Sequence, residues 1–185
     1  MRPFVWLLVL VAPAFLCGSA WGQAKDSSLV KAAFLCNFTK FAEWPAPAFD
    51  NAQSPLIVGV LGEDPFGSKL DSAAKGLLVH GRPVVVKRFS VSPKARECHL
   101  LFMGRDSGVK IFDVVESVSS LPVLVVSDLK GFAAGGGGIG FVEKDGAIHF
   151  EVNLAAVENN GVKLSSGLLK LADQVLKTVP RSKQP

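Results

Sequence analysis

Short apolar runs alternate with helical stretches through the middle of this chain, and this alternation restricts the available folds more than any other feature. The runs predict strands at residues 56–61, 84–89, 99–103 and 123–126. The stretches between them predict helices at residues 66–74 and 109–118, the second with an apolar stripe that includes Phe112. Alternation at this spacing predicts right-handed βαβ units and a mainly parallel sheet that is covered on both faces.

A β-hairpin is predicted in the last third of the chain. Residues 139–143 and 147–152 flank an Asp-Gly dipeptide, which favours a two-residue turn. That turn places Phe141 opposite Phe150 on one face. The sequence therefore predicts an α/β domain with a mainly parallel sheet and a C-terminal β-hairpin, followed by a final helix at residues 166–177.

An aromatic helix opens the predicted domain at residues 27–44. Good N-cap residues precede it, and two prolines end it. Its apolar stripe consists of Val30, Phe34, Phe38 and Phe41, and its polar face consists of Lys31, Lys40 and Glu43. Such a stripe is more typical of core packing than of an interface, whereas Trp44 at the helix end is a candidate for a partly exposed anchor.

Residues 1–24 have the three-part layout of a cleaved secretory signal peptide. Arg2 provides the positive start, an apolar run follows, and small residues precede a cut after residue 24 or residue 20. The run is shorter than the roughly 20 residues of a spanning helix, which argues against the alternative of a membrane anchor. A lipid-modified cysteine at position 17 is disfavoured because a leucine precedes it.

The remaining sequence predicts one α/β domain at residues 25–180 and a flexible polar tail at 181–185. With 49% hydrophobic and 19% charged residues, the chain does not have the composition of a disordered protein. Its formal net charge of +4 comes without a Lys/Arg cluster, which argues against a nucleic-acid partner. Export implies an oxidising compartment, where Cys36 and Cys98 can form at most one disulfide and are the candidate redox residues.

Two glycine-rich patterns resemble nucleotide-binding motifs but lack the context that those motifs require. In residues 62–69 the lysine follows the serine, so it is misplaced for phosphate, and Pro65 removes an amide donor. The glycines of residues 135–140 precede a strand, whereas a dinucleotide site requires a helix there. The turn from Gly62 to Gly67 nevertheless follows a strand, and open α/β sheets bind ligands at the carboxyl ends of their strands.

No residue pattern predicts catalysis, metal binding or a cofactor. None of the three histidines has a second metal ligand at the required spacing on a shared helix face. Cys98 and His99 are adjacent and offer a thiol–imidazole nucleophile. A structural cysteine is the favoured interpretation, because a reactive thiol needs an electropositive setting. The residues alone therefore predict an exported, single-domain binding or regulatory protein that is not an enzyme.

Six strings, taken together in their order and spacing, resemble the YfiR-like family of small periplasmic proteins. They are KAAFLCNFTKFAEWP at 31–45, LGEDPFG at 61–67, CHLLFM at 98–103, VLVVSD at 123–128, FEVNL at 150–154 and LSSGLLKLA at 164–172. The resemblance covers about residues 29–177. It implies a compact αβα sandwich, a periplasmic location and the ability to form a homodimer.

The resemblance also implies function by protein contact. The protein that gives the family its name is a periplasmic repressor, which binds the periplasmic sensor region of an inner-membrane diguanylate cyclase and lowers cyclic di-GMP synthesis. Two positions depart from the family pattern. Position 36 is often aromatic but is Cys36 here, and the family often carries a cysteine at the position of Gly59, where it would be the natural partner of Cys98. The disulfide that the family pattern implies for Cys98 therefore lacks its partner.

The leading hypothesis is a periplasmic regulator that binds and represses a membrane diguanylate cyclase. The second hypothesis is a periplasmic small-ligand binding module, and the third is an exported enzyme that uses Cys98 and His99. For the first two, the candidate ligand or partner surface consists of Phe41, Trp44, Gly62, Asp64, Pro65, Phe66 and Gly67.

Overall fold

The computed structural model describes residues 26–89, 97–105 and 111–177. The predicted signal peptide at residues 1–24 and the predicted tail at 181–185 lie outside the described residues. Within the described ranges, no helix combines the length and the apolar character that crossing a membrane requires.

The described elements follow the predicted alternation. The helices are α1 (Ser27–Phe41), α2 (Ser68–Ala74), α3 (Ile111–Ser117), α4 (Leu154–Asn159) and α5 (Ser166–Leu171), with a short 3₁₀ helix at Ala46–Ala48. The strands are β1 (Ala42–Glu43), β2 (Leu56–Leu61), β3 (Leu78–Val79), β4 (Arg82–Phe89), β5 (Leu100–Met103), β6 (Leu124–Ser127), β7 (Ile139–Lys144), β8 (Ala147–Asn153), β9 (Lys163–Leu164) and β10 (Gln174–Leu176).

Eight of these strands form one sheet in the order β10-β8-β7-β6-β5-β2-β4-β3. The pairs that link β4, β2, β5, β6 and β7 are all parallel. At one end β8 runs antiparallel to β7, and at the other end β3 runs antiparallel to β4. The prediction of an α/β domain with a mainly parallel sheet and a C-terminal hairpin is therefore confirmed.

Two hydrophobic clusters cover the two faces of the sheet, because side chains alternate between the faces along each strand. The first cluster lies under α1, α2 and α5 and includes Phe38, Val58 and Phe102. The second lies under α3 and includes Leu101 and Val114. A fully buried side chain of this size stabilises the fold by roughly 1.5–3 kcal/mol. These two clusters give the protein the αβα layering that the family resemblance implies.

The hairpin between β7 and β8 has the predicted register. Phe141 lies opposite Phe150, and Asp145 and Gly146 form the turn with φ values of 52° and 71°. Positive φ at both central residues is the geometry that an Asp-Gly turn favours. The aromatic pair lies beneath α1, where the ring of Phe38 packs 5.1 Å from that of Phe150.

The predicted final helix at 166–177 is wrong beyond Leu171. Ala172 adopts an extended conformation with φ −72° and ψ 137°, and residues 174–176 become the edge strand β10 beside β8. Pairing with β8 gives residues 174–176 a ladder partner and covers the outer edge of β8, which a longer helix would leave open. The opening helix likewise ends at Phe41, because Ala42 turns extended and pairs with Leu164.

Three predicted positions on helix faces are also wrong. Lys31, assigned to the polar face of α1, is buried because it forms an ion pair with Asp128. Phe41, assigned to the apolar stripe, is 41% exposed at the last residue of α1. Phe112, assigned to the apolar stripe of the predicted helix at 109–118, is 54% exposed, whereas Val118 of the same stripe is buried as predicted and Val114 is buried beside it.

Candidate functional site

The candidate surface residues of the sequence lie at two opposite edges of the sheet. The carboxyl edge is where the parallel strands end, and Gly62 follows the last residue of β2 there. The amino edge is where those strands begin, and Trp44 lies there because its indole donates to the carbonyl of His99, just before β5. Helix α1 crosses one face of the sheet between these edges. The structure therefore does not bring the two parts of the predicted surface together.

At the carboxyl edge, the turn from Gly62 to Gly67 is held by its own hydrogen bonds. The carboxylate of Asp64 accepts from the backbone amides of Phe66 (2.8 Å) and Gly67 (3.2 Å). Phe66 points inward, 2% exposed, and its ring packs edge-on against Phe102 at 4.7 Å. Pro65 and Gly67 remain exposed at the surface.

Arg88 fastens this turn to α2. Its guanidinium donates to Asp64 (2.7 Å), to the carbonyl of Gly67 (2.8 Å) and to Asp71 (2.6 Å). Arg88 holds the pKa of the Asp71 carboxyl below its usual value by hydrogen bonding to the charged form. The polar groups of the turn are thus largely occupied within the protein, and sequence reasoning missed Arg88 because it lies 24 residues from Asp64.

A nearly buried ion pair lies at the same edge. The ammonium of Lys31 on α1 contacts Oδ2 of Asp128, which follows β6, at 2.7 Å, and the two side chains are 11% and 9% exposed. Oδ1 of Asp128 is buried and has no hydrogen-bond partner among the described residues, and Arg105 approaches it at 3.5 Å from the solvent side. No sequence pattern indicates this pair, because 97 residues separate its members.

At the amino edge, Trp44 borders an open groove of about 440 Å³. Trp44 is partly buried, and its Nε1 donates to the carbonyl of His99 at 3.0 Å. Phe49 and Arg82 also line the groove, and the guanidinium carbon of Arg82 lies 3.8 Å from the ring centroid of Phe49. Phe41 is the last residue of α1. It adds an exposed aromatic ring at the end of the helix from which the chain leads to this groove.

Arg82 also fixes the loop that shapes this groove. Its guanidinium donates to the backbone carbonyls of Asn51 (2.7 Å) and Ser54 (2.8 Å). The amino edge therefore presents an aromatic, partly apolar surface on a loop that the first residue of β4 holds in place.

Cys98 and His99 do not form a nucleophile and base in this arrangement. The Nδ1 atom of His99 accepts from the amide of Ile57 at 3.0 Å, and Nε2 donates to the carbonyl of Ala48 at 2.9 Å. Burial lowers the pKa of His99, so the neutral ring serves as a bridge between two backbone groups. Burial raises the pKa of the Cys98 thiol to about 12, which opposes formation of the reactive thiolate.

Cys36 and Cys98 are free thiols in separate clusters. Cys36 lies in the cluster under α1, and Cys98 lies in the cluster under α3, on the other face of the sheet. The sheet between them prevents the close approach that a disulfide requires. Over the described part of the chain, no three His, Cys, Asp or Glu side chains converge as metal ligands.

A comparison with protein families identifies the family to which the chain belongs. The model of the YfiR/HmsC-like family matches residues 28–173, which is well over half of the sequence. No curated protein matches the chain. The matched range spans α1 to the residue before β10, and the family is regulatory and periplasmic rather than enzymatic. The chain belongs to the YfiR/HmsC-like family.

Proposed function

We propose that this protein is a periplasmic repressor that binds the periplasmic sensor region of an inner-membrane diguanylate cyclase. Binding holds down cyclic di-GMP synthesis and with it biofilm formation. Family membership over residues 28–173 supports this role. The proposal places the binding surface at the amino edge, around Phe41 and Trp44.

The exposed ring of Phe41 is the observation that carries the choice of surface. Phe41 is 41% exposed, although it closes a helix whose other phenylalanines pack toward the core. Trp44 lies close by in sequence and is partly exposed, with its indole fixed by the hydrogen bond to His99. Rigid, partly exposed aromatic side chains are frequent anchors of protein interfaces.

Gene deletion followed by complementation tests the proposal in the cell. Deletion should raise cyclic di-GMP and biofilm, and the wild-type gene should restore both. Phe41→Asp should fail to restore them, because a carboxylate there opposes burial in an interface. Leu29→Asp is the matched control, since Leu29 is 53% exposed at the other end of α1. An unchanged level of cyclic di-GMP after deletion would contradict the repressor role.

A small-ligand binding module is the second candidate, and the groove beside Trp44 favours it. A volume of about 440 Å³ lies within the range of small-molecule sites. Screening of periplasmic metabolites should then find a compound that raises the melting temperature of the wild-type protein, because a ligand specific for the folded state stabilises it. The same compound should have no effect on Trp44→Ala. A stabilising compound that acts equally on both proteins would exclude this groove.

A further inference from the structure

Most of one side of strand β4 is not covered by any other described strand. Its inner side pairs with β2 from Val84 to Phe89, whereas β3 covers its outer side only at Arg82 and Pro83. The amide of Val84 donates outward to the carbonyl of Leu77, which extends the covered stretch by one residue. Beyond Val84, the outer side of β4 is a free sheet edge within the part of the chain that the structure describes.

Two residues present their backbone groups at this free edge. The carbonyl of Phe89 accepts from the amide of Gly62 on the β2 side. The backbone groups of Phe89, and of every second residue before it, therefore point toward β2. Val86 and Arg88 lie between those residues, so their N–H and C=O groups point away from β2. No described residue forms a backbone hydrogen bond with these groups. Such groups are a template for an added strand.

Apolar side chains lie exposed on one face of this edge. Leu78 is 64% exposed and Val85 is 38% exposed. Pro83 is also exposed and lies opposite Leu78 in the β3–β4 ladder. Because Val85 follows Pro83 by two residues, all three side chains share one face of the sheet. These exposed apolar side chains beside an open strand edge offer surface that an added strand can bury.

A groove follows the same edge on the other face. It has a volume of about 320 Å³ and lies between α2 and β4. The strand lines it with Val84 and Val86. Ser72 of α2 and Lys75, the residue after the helix, line it with a short and a flexible side chain. An added strand would therefore find space for side chains on both faces, which is the usual arrangement when a sheet binds an extended peptide.

A second copy of this chain does not fit the edge. Leu77 blocks the position outside Val84, so a register centred on Val86 would drive Arg88 of the second copy into Leu77. The remaining antiparallel two-fold registers place Lys87 opposite Lys87 or Arg88 opposite Arg88. Like charges directly opposite each other destabilise strand pairing, and charged edge residues commonly protect against self-association.

We propose that the free edge of β4 docks an extended segment of another protein, with alternating apolar residues and an acidic residue opposite Lys87. The segment bonds the backbone of Val86 and Arg88 and covers the patch around Val85. Lys87 is available to the acidic residue, since its ammonium lies 3.9 Å from Glu97 and both side chains are about half exposed. Arg88 is already engaged by Asp64 and Asp71. This inference does not depend on the repressor role.

A pair of synthetic peptides tests the proposal with the folded protein. The capped peptide Val-Val-Glu-Val-Val reads the same in both directions and places its acidic residue opposite Lys87 in either orientation. It spans only Val85 to Phe89, so it avoids the position outside Val84 that Leu77 occupies. Its control replaces Glu by Lys. At low salt the acidic peptide should bind about five-fold more tightly or better, because attraction replaces repulsion at one surface pair. It should also slow hydrogen exchange at the amides of Val86 and Arg88.

Two variants show whether binding uses this edge. Lys87→Glu should reverse the preference, so that the lysine peptide binds more tightly. Val86→Pro should abolish binding of both peptides while the melting temperature stays within a few degrees, because the amide that it removes points away from β2. Equal binding of the two peptides, or binding that survives Val86→Pro, would overturn the proposal. A homodimer that Val86→Pro dissociates would also overturn it, because the occupant would then be a second copy.

Discussion

The sulfur of Cys98 occupies the space that a side chain on Gly59 would fill. A Cβ atom built on Gly59 would overlap Sγ of Cys98, with ring and methyl carbons of Phe89 and Leu101 at 3.0 and 3.2 Å. Gly59 on β2 and Cys98, which lies just before β5, are thus complementary in size. The family resemblance places a cysteine at position 59 as the partner of Cys98. Here that position is a glycine, and the thiol of Cys98 packs against it.

Gly59→Ala should destabilise the protein by about 1–3 kcal/mol, because the added methyl overfills a packed core. Cys98→Ala removes the overlapping sulfur. The double variant should therefore lose less stability than the sum of the two single variants. Urea denaturation of the four proteins measures the coupling. Strictly additive losses would show that the two positions do not compete for the same space.

The native protein should resist thiol-specific labelling at pH 8. Burial raises the pKa of Cys98 to about 12, so only ~10⁻⁴ of this thiol is ionised at that pH. Burial also raises the pKa of Cys36. Absorbance of a disulfide reagent should show both thiols reacting in urea and neither reacting promptly in the folded chain. Rapid stoichiometric labelling of Cys98 before unfolding would contradict its placement.

Stability should fall as the pH drops below about 6.5, with His99 contributing to the fall. Burial lowers the pKa of His99, against the opposing effect of its hydrogen bond to Ala48. The unfolded chain therefore binds this proton at a higher pH than the folded chain does, and the stabilisation present above pH 6.5 is lost on acidification. Unfolding free energies at pH 7.5 and pH 5 measure the slope.

His99→Gln should reduce this slope, because it removes the buried group that the unfolded chain protonates more readily. An identical slope in wild type and His99→Gln would show that the buried imidazole does not contribute.

The ion pair between Lys31 and Asp128 should be costly to break from either side. Lys31→Ala leaves the Asp128 carboxylate, 9% exposed, without its partner and should cost about 3–5 kcal/mol. Removing both charges in Lys31→Met/Asp128→Leu should cost less than either single removal. Arg105→Ala is the control, because Arg105 is 65% exposed and should contribute less than ~1 kcal/mol. If Lys31→Ala leaves the free energy of unfolding in chemical denaturation unchanged, this account is wrong.

Local patterns predicted the strands and the hairpin well, because those features depend on neighbours in sequence. The bounds of β2 coincide with the predicted residues 56–61, and the turn fixes Phe141 opposite Phe150. The features that the sequence did not predict depend on contacts between residues far apart in the chain. Residues 174–176 form a strand because β8 lies beside them, and Lys31 is buried because Asp128 neutralises it.

The candidate surface was harder to predict than the fold. Phe66 belongs to the core, and Asp64 is used to hold its own turn, although both follow a strand at a typical ligand-binding edge. The exposure of Phe41 depends on where α1 ends, and that depends on the pairing of Ala42 with Leu164. Helical periodicity alone does not reveal such a long-range contact.

Site-specific photo-crosslinking in living cells tests the central claim most directly. A photoreactive phenylalanine analogue at position 41 retains the aromatic ring of Phe41, and the same analogue at position 29 serves as the control at the other end of α1. Position 41 should yield a covalent adduct that mass spectrometry identifies as a membrane diguanylate cyclase, and position 29 should yield little. Absence of a cyclase adduct at position 41, or equal adducts at both positions, would contradict the account.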